Sequence, residues 1–117
     1  MAKRYYVTTP IYYVNSIPHV GHALTMLACD VCKRYAEMQG QDASFLTGTD
    51  ENGLKVMEAA AAAGESPMAF VDRISKTFSD CAETLGMSND IFFRTTSDQH
   101  KRAAQRLFEV IRDNCSI

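Results

Sequence analysis

Two short runs rich in β-branched and aromatic residues flank a segment whose apolar positions recur every three or four residues. This order of strand, helix and strand constrains the chain more than any other feature. Arg4-Tyr5-Tyr6-Val7-Thr8-Thr9 has strand composition and stops at Pro10. Ile11 to Pro18 carries Asn15, Ser16 and Pro18 without a helical period and reads as a loop. From Val20, the positions Leu24, Leu27, Ala28, Val31, Tyr35 and Met38 form one apolar stripe, expected to be a buried helix face, with Gly40 as its stop. Ala43-Ser44-Phe45-Leu46-Thr47 then reads as a second strand, ending in Gly48-Thr49-Asp50-Glu51-Asn52-Gly53. A strand, a crossover helix and a strand make a βαβ unit, so the class is α/β, with parallel strands, flanking helices and a right-handed crossover.

Composition narrows the setting. The chain has 117 residues, 46% hydrophobic and 22% charged, and its 12 Lys+Arg against 14 Asp+Glu give a formal charge of −2. Such a chain can bury a core without disulfide or metal staples and is too apolar for intrinsic disorder. No run approaches the roughly 18 apolar residues of a membrane span. The N-terminus lacks the apolar core of a secretory signal, so a cytoplasmic address is expected. The mild acidity also argues against a broad nucleic-acid-binding surface. Cys29, Cys32, Cys81 and Cys115 are then read as reduced thiols. Cys29 and Cys32 have the C-x2-C spacing of metal and redox sites, but no second pair or paired histidines accompany them. Small apolar helix residues are the plainer reading.

The rest of the chain reads as mainly helical. An Ala-rich helix is expected from Leu54 to Ala63, stopped by Gly64, and a second begins at the Ser66-Pro67 cap and ends before Gly86. Phe70, Ile74, Phe78, Cys81 and Leu85 make its buried stripe, which places Cys81 in the core. Ile91-Phe92-Phe93 is either a buried strand or a packed loop. Thr96 with Gln99 fits a capping box, and Ala103, Leu107, Val110 and Ile111 are expected to form the buried face of a last helix.

Chemistry concentrates at the junction Pro18-His19-Val20-Gly21-His22, where a loop after a strand opens a helix. Free backbone N–H groups and the positive end of the helix dipole should there face a pocket at the carboxyl ends of the strands, an anion site. His19 and His22 can donate to phosphate oxygens, and Gly21 lets a base or phosphate approach the backbone. A histidine at an exposed helix start can also be merely solvated. Asp50, at the end of the second strand, should face the same crevice. There it could hold a substrate ammonium, or it could serve with Asn52 in a turn or as an N-cap.

Thr9-Pro10-Ile11-Tyr12-Tyr13-Val14-Asn15 running into Pro18-His19-Val20-Gly21-His22, with Phe45-Leu46-Thr47-Gly48-Thr49-Asp50-Glu51 downstream, resembles the start of the methionyl-tRNA synthetases. The H-x-G-H element alone marks the wider class I synthetases and some nucleotidylyltransferases; the two longer strings point to the methionine enzymes. The likeness runs on through Asp72-Arg73-Ile74 and Phe92-Phe93-Arg94-Thr95-Thr96. It implies that residues 1–117 are the first part of a Rossmann-like catalytic domain. It also implies that His19 and His22 bind the triphosphate of ATP, which arrives with Mg2+ as substrate, while the methionine carboxylate attacks the α-phosphorus. By the same resemblance Gly21 lies against adenine, Asn15 faces ATP, Ile11 and Tyr13 line the methionine side-chain pocket, and Asp50 holds the α-ammonium.

The chain departs from the family pattern at Asn52, where His is common, and at Asn114-Cys115-Ser116-Ile117, where Asn-Gly-Asp-Ile is usual. The family's Lys-Met-Ser-Lys-Ser loop, its zinc-bearing inserted domain and its anticodon-binding domain have no counterpart in these residues. No metal site is therefore expected here, and tRNA(Met) would be met mainly by other parts of the enzyme. Arg94, His100, Lys101, Arg102 and Arg106 either touch an acceptor stem or are solvated, diluted by Asp98, Glu109 and Asp113. The leading expectation is the first part of a methionine-activating, tRNA-charging active site that is not competent alone. The alternatives are a non-catalytic ATP- or methionine-binding module and a small nucleotidylyltransferase.

Overall fold

A computed structural model describes residues 3–115; the atypical Ser116 and Ile117 lie outside them. The sheet is organised about β3 (Asp42–Asp50), with β1 (Arg4–Thr8) parallel to its first half. Beyond Pro10 the chain returns to the same edge as β2 (Tyr12–Tyr13), and β4 (Ile91–Arg94) runs parallel along the opposite edge. The parallel βαβ unit is therefore present. Tyr12 and Tyr13 correct the expectation of a continuous loop, since a strand of two residues leaves no period in the sequence. β3 is longer than the expected Ala43–Thr47 run, because Gly48, Thr49 and Asp50 continue the ladder opposite Phe93, Arg94 and Tyr13. The Ile91-Phe92-Phe93 run is a strand.

One face of the sheet is covered. α1 (Val20–Met38) and α3 (Pro67–Thr84) pack there, and α2 (Leu54–Ala62) leans on α3. Tyr12, Val14, Met26, Val56, Phe70, Val71, Ile74 and Phe78 form the core between them. Ser66 caps α3 as expected, its hydroxyl accepting from the Ala69 N–H, and Gly64 and Gly86 follow their helices with φ of 69° and 63°. Cys81 packs against the core but is only partly buried, whereas Leu85 is exposed.

The opposite sheet face is open. Tyr6, Tyr13 and Ile91 pair in register with Ser44, Asp50 and Leu46, all on one side of β3, and are 62%, 64% and 48% exposed.

Two helix expectations are overturned. The α1 stripe faces outward: Val20, Leu24 and Met38 are 85%, 69% and 80% exposed, and Val31 and Tyr35 are also exposed. The buried side carries Met26, Asp30, Lys33 and Ala36. Asp30 accepts from the Ser88 N–H and hydroxyl at 2.6 Å each, and Lys33 Nζ donates to Ser88 O at 2.6 Å and Asp90 Oδ1 at 2.8 Å. These bonds make a polar inner face possible, which periodicity of apolar residues cannot reveal. α4 (Asp98–Asn114) buries no residue, so Ala103, Leu107, Val110 and Ile111 are exposed rather than buried. Its cap is Ser97, whose hydroxyl accepts from the His100 N–H, and not Thr96. The Thr96 hydroxyl is drawn instead to the Glu51 carboxylate.

Candidate functional site

The helix start at His19 is built differently from a bare helix dipole. His19 is the N-cap, and its Nδ1 accepts from the Gly21 N–H at 3.1 Å, while the His19 N–H donates to His22 Nδ1 at 3.1 Å. Two imidazoles thus form a reciprocal capping box. This corrects the expectation of free amides there, because side chains satisfy those of His19 and Gly21. With each Nδ1 acting as acceptor, the ring proton belongs on Nε2, so both rings keep a donor that the cap does not use. The rings stack at 3.8 Å, and His22 meets Tyr12 and Phe78 edge-on at 4.9 and 5.2 Å. Burial, and then the neighbouring His19, lowers the His22 pKa and favours its neutral form. Gly21 has a local reason to be glycine, since a Cβ there would press on His19 Cε1 at 3.0 Å.

A second group collects where β2 and β3 end. The parallel register sets Tyr13 beside Asp50 on the open sheet face, and Ile11 is exposed next to the same strand. Tyr13 and Asn15 line a cleft of about 440 Å³ with Asn52, Gly53, Leu54, Lys55 and Val56. Among the described residues the Asp50 carboxylate enters no ion pair, and its one side-chain hydrogen bond is a long 3.4 Å acceptance from the Asn52 N–H. Neither Asp50 nor Asn52 caps α2, whose N-cap is Gly53. Tyr12 joins the groups: it precedes Tyr13 in the chain, its ring packs on His22 and Phe78, and its buried hydroxyl has no hydrogen-bond partner among the described residues.

Sequence reasoning missed a third cluster next to Asp50. Glu51 is 4% exposed and accepts from Arg94 Nε at 2.7 Å, from the Thr49 hydroxyl at 2.9 Å and from the Thr96 hydroxyl. Arg94 also donates to Asp72 Oδ1 at 2.6 Å. The Glu51 N–H donates to Thr95 Oγ1 at 2.8 Å, as does Asn52 Nδ2 at 3.2 Å. Burial alone would raise the Glu51 pKa, but the bonds from Arg94, Thr96 and Thr49 outweigh it and hold the carboxyl below its ordinary range. Arg94 is therefore committed to carboxylates, which corrects its reading as a solvated or RNA-facing cation. Lys101 and Arg106 remain largely exposed on α4. Partners 43 residues apart leave no local signal; a Glu following a strand-end Asp was the only hint.

The cysteines lie apart from these groups. Cys29 Sγ is 3.6 Å from Thr8 O, where burial raises its pKa, and Cys32 is exposed.

The family model described as tRNA synthetases class I (M) matches residues 5–117. The chain belongs to this synthetase family. It is 45% identical over all 117 residues to the methionine–tRNA ligase of Rickettsia bellii, spanning 23% of that protein. The structure of Mycobacterium tuberculosis methionyl-tRNA synthetase in complex with methionyl-adenylate superposes with a TM-score of 0.93 at 46% identity, over 95% of this chain and 22% of the other. An Agrobacterium radiobacter LeuRS, solved in a ternary complex, shares the fold with a TM-score of 0.89 at 24% identity, over 96% of this chain and 15% of its own. The synthetase fold thus places the H-x-G-H cap, the Asp50 strand end and the Arg94 cluster within less than a quarter of the length of the curated relatives it matches.

Proposed function

We propose that this chain supplies the first part of a methionyl-tRNA synthetase active site, as the N-terminal portion of its catalytic domain. The observation that carries the reading is the register pair of Tyr13 and Asp50, which sets an unpaired carboxylate and an aromatic side chain on one open face at the strand ends. Asp50 receives the methionine ammonium, and Tyr13 with Ile11 lines the thioether side chain. A methionine carboxylate oxygen attacks the α-phosphorus of ATP, a P–O bond forms, and pyrophosphate leaves with the electrons of the broken bond. His19 and His22 donate from Nε2 to the triphosphate as charge develops, Gly21 lies against adenine, and Asn15 faces the nucleotide. No protein nucleophile is required; position and electrostatics supply the catalysis. ATP arrives with Mg2+, which belongs to the substrate. Transfer to tRNA(Met), and any zinc-bearing region, belong to the rest of such an enzyme. No described helix is long and apolar enough to cross a membrane, and a cytoplasmic location fits protein synthesis.

Methionine-dependent ATP–pyrophosphate exchange tests the proposal. The 117-residue chain alone is expected to show none, and adding the remaining portion of the enzyme as a separate polypeptide is expected to restore it. In the restored mixture His22→Ala should lower the rate by about 10²–10³-fold. Exchange by the chain alone would refute its incompetence. Ligand binding with no exchange in either condition would show a binding module instead.

A further inference from the structure

Side chains alternate across a strand, so the direction taken by one residue limits the next. Thr49 is fully buried and its hydroxyl contacts Ser75 of α3 at 3.0 Å; Glu51, two residues on, turns the same way. Asp50 between them is left to the open face. What keeps Glu51 inward is Arg94, with 2.7 Å between Nε and Oε1, together with the Thr49 and Thr96 hydroxyls. Thr95 fixes the backbone at the same point, for its hydroxyl accepts from the Glu51 N–H and its own N–H donates to Thr49 O at 3.3 Å. The strand end carrying Asp50 is thus held by three consecutive residues, Arg94 at the end of β4 and Thr95 and Thr96 just after it.

The arrangement also settles which carboxylate is free. Asp50 and Glu51 are adjacent, and either could in principle meet a cation. Arg94 neutralises Glu51 through Nε, and its Nη2 donates to Asp72. A ligand ammonium arriving at the open sheet face beside Tyr13 therefore finds Asp50 outside any ion pair and Glu51 engaged.

We propose that Arg94 is a positioning residue for the α-ammonium of the amino-acid substrate: by holding Glu51 inward it fixes the Asp50 carboxylate on the open face and leaves it the sole acceptor. This rests on the reading that Asp50 receives that ammonium. Loss of Arg94 would leave Glu51 buried without its cation, and the strand end would then turn to expose it.

NMR of the 117-residue chain, with the Asp50 and Glu51 carboxyl carbons followed during titration with L-methionine, tests this directly. 4-(Methylthio)butanoate, which lacks only the ammonium, serves as the control ligand. In the unsubstituted chain methionine is expected to shift the Asp50 signal and leave that of Glu51 in place. Arg94→Met should weaken methionine binding about tenfold, leave the control ligand unchanged and bring a methionine-dependent shift onto Glu51; Arg94→Lys should restore part of the affinity. If Arg94→Met does not fold, Arg94→Gln reports instead: it can still bond Glu51 but carries no charge, and methionine is expected to bind more weakly than in the unsubstituted chain with the control ligand unchanged, whereas unchanged methionine affinity overturns the role. Equal weakening for both ligands would reduce Arg94 to a structural part, and unchanged methionine binding in Arg94→Met would remove its role while Asp50 stands. If methionine does not move the Asp50 signal in the unsubstituted chain, the ammonium site itself is wrong and the positioning role falls with it.

Discussion

At Gly48 two strands come together so closely that a side chain of any kind is excluded. A Cβ built there lies 1.9 Å from the Phe93 carbonyl oxygen and within 2.9 Å of two further Phe93 backbone atoms. Backbone atoms cannot rotate away as a flexible side chain does, so relief requires β4 to part from β3. Gly48→Ala is expected to cost about 3 kcal/mol, at the upper end of overpacking, and urea unfolding monitored by circular dichroism measures it. The contrast with Gly21 is instructive: the atoms a Cβ would meet there belong to the His19 ring, which can give way at the expense of the cap. Both glycines stand inside strings that marked the family, yet only the three-dimensional neighbours distinguish a sheet requirement from a cap requirement. Asp50 was legible as a candidate because it follows the second strand, whereas Tyr13 was read as loop and became a candidate only through the family resemblance. Glu51, Arg94 and Asp72 were not legible, because a buried ion pair is made by strand pairing between distant segments.

The helices divide by what lies beneath them. α3 sinks Phe70, Val71, Ile74 and Phe78 into the core and was readable from its stripe. α1 was readable as a helix but not in its orientation, because its inner face holds Asp30 and Lys33 and its outer face holds the hydrocarbon. α4 is amphipathic without a buried residue, so beyond the edge contact of His100 with Phe93 it is held by its own hydrogen bonds, the Ser97 cap and exposed pairs such as Arg106–Glu109. Such pairs stabilise a helix by only a few tenths of a kcal/mol each, and a lone helix of this length is marginal in water. Backbone amides from Asp98 to Asn114 are therefore expected to exchange with solvent deuterium at least 100-fold faster than those of the middle turns of α3 at pH 7, measured by native-state exchange. Equal protection of the two helices would show that α4 is held by something other than itself.

For the molecule as a whole, charge burial sets the response to pH. Burial pushes the Asp30 pKa up, but the bonds from Arg34 and Ser88 outweigh it. The bond from Lys33 and then the Phe45 N–H lower that of Asp90. With Glu51, three carboxyls are thus held below their ordinary values of 3.8 and 4.5, so the stability they lend is complete above that range and is lost as pH falls through their folded values. His22, whose pKa lies below 6.5, works in the same direction: the unfolded chain takes up that proton first, so acidification below 6.5 already weakens the fold. For Lys33, burial opposes the charged form, but Asp90 and Glu37 overcome it. Its contribution is present below 10.5 and is lost only as pH rises through its higher folded value. A melting temperature that is flat from about pH 7 to 8, falls gently below 6.5 and falls steeply near 4 is expected from thermal circular dichroism. Glu51→Gln should flatten the steep acid limb.

The same molecule is one-sided. It measures 47 × 43 × 20 Å, and the short dimension corresponds to one sheet and one layer of helices, at about 10 Å per layer. Against that asymmetry the histidine cap gains a further meaning. Both rings are oriented through Nδ1 by the backbone of their own helix. The rotational freedom that an unrestrained imidazole would surrender on meeting an anion has therefore been surrendered when the chain folds. A change at His19 or His22 is consequently read twice, once by the helix that loses its first hydrogen bonds and once by whatever would have accepted from Nε2.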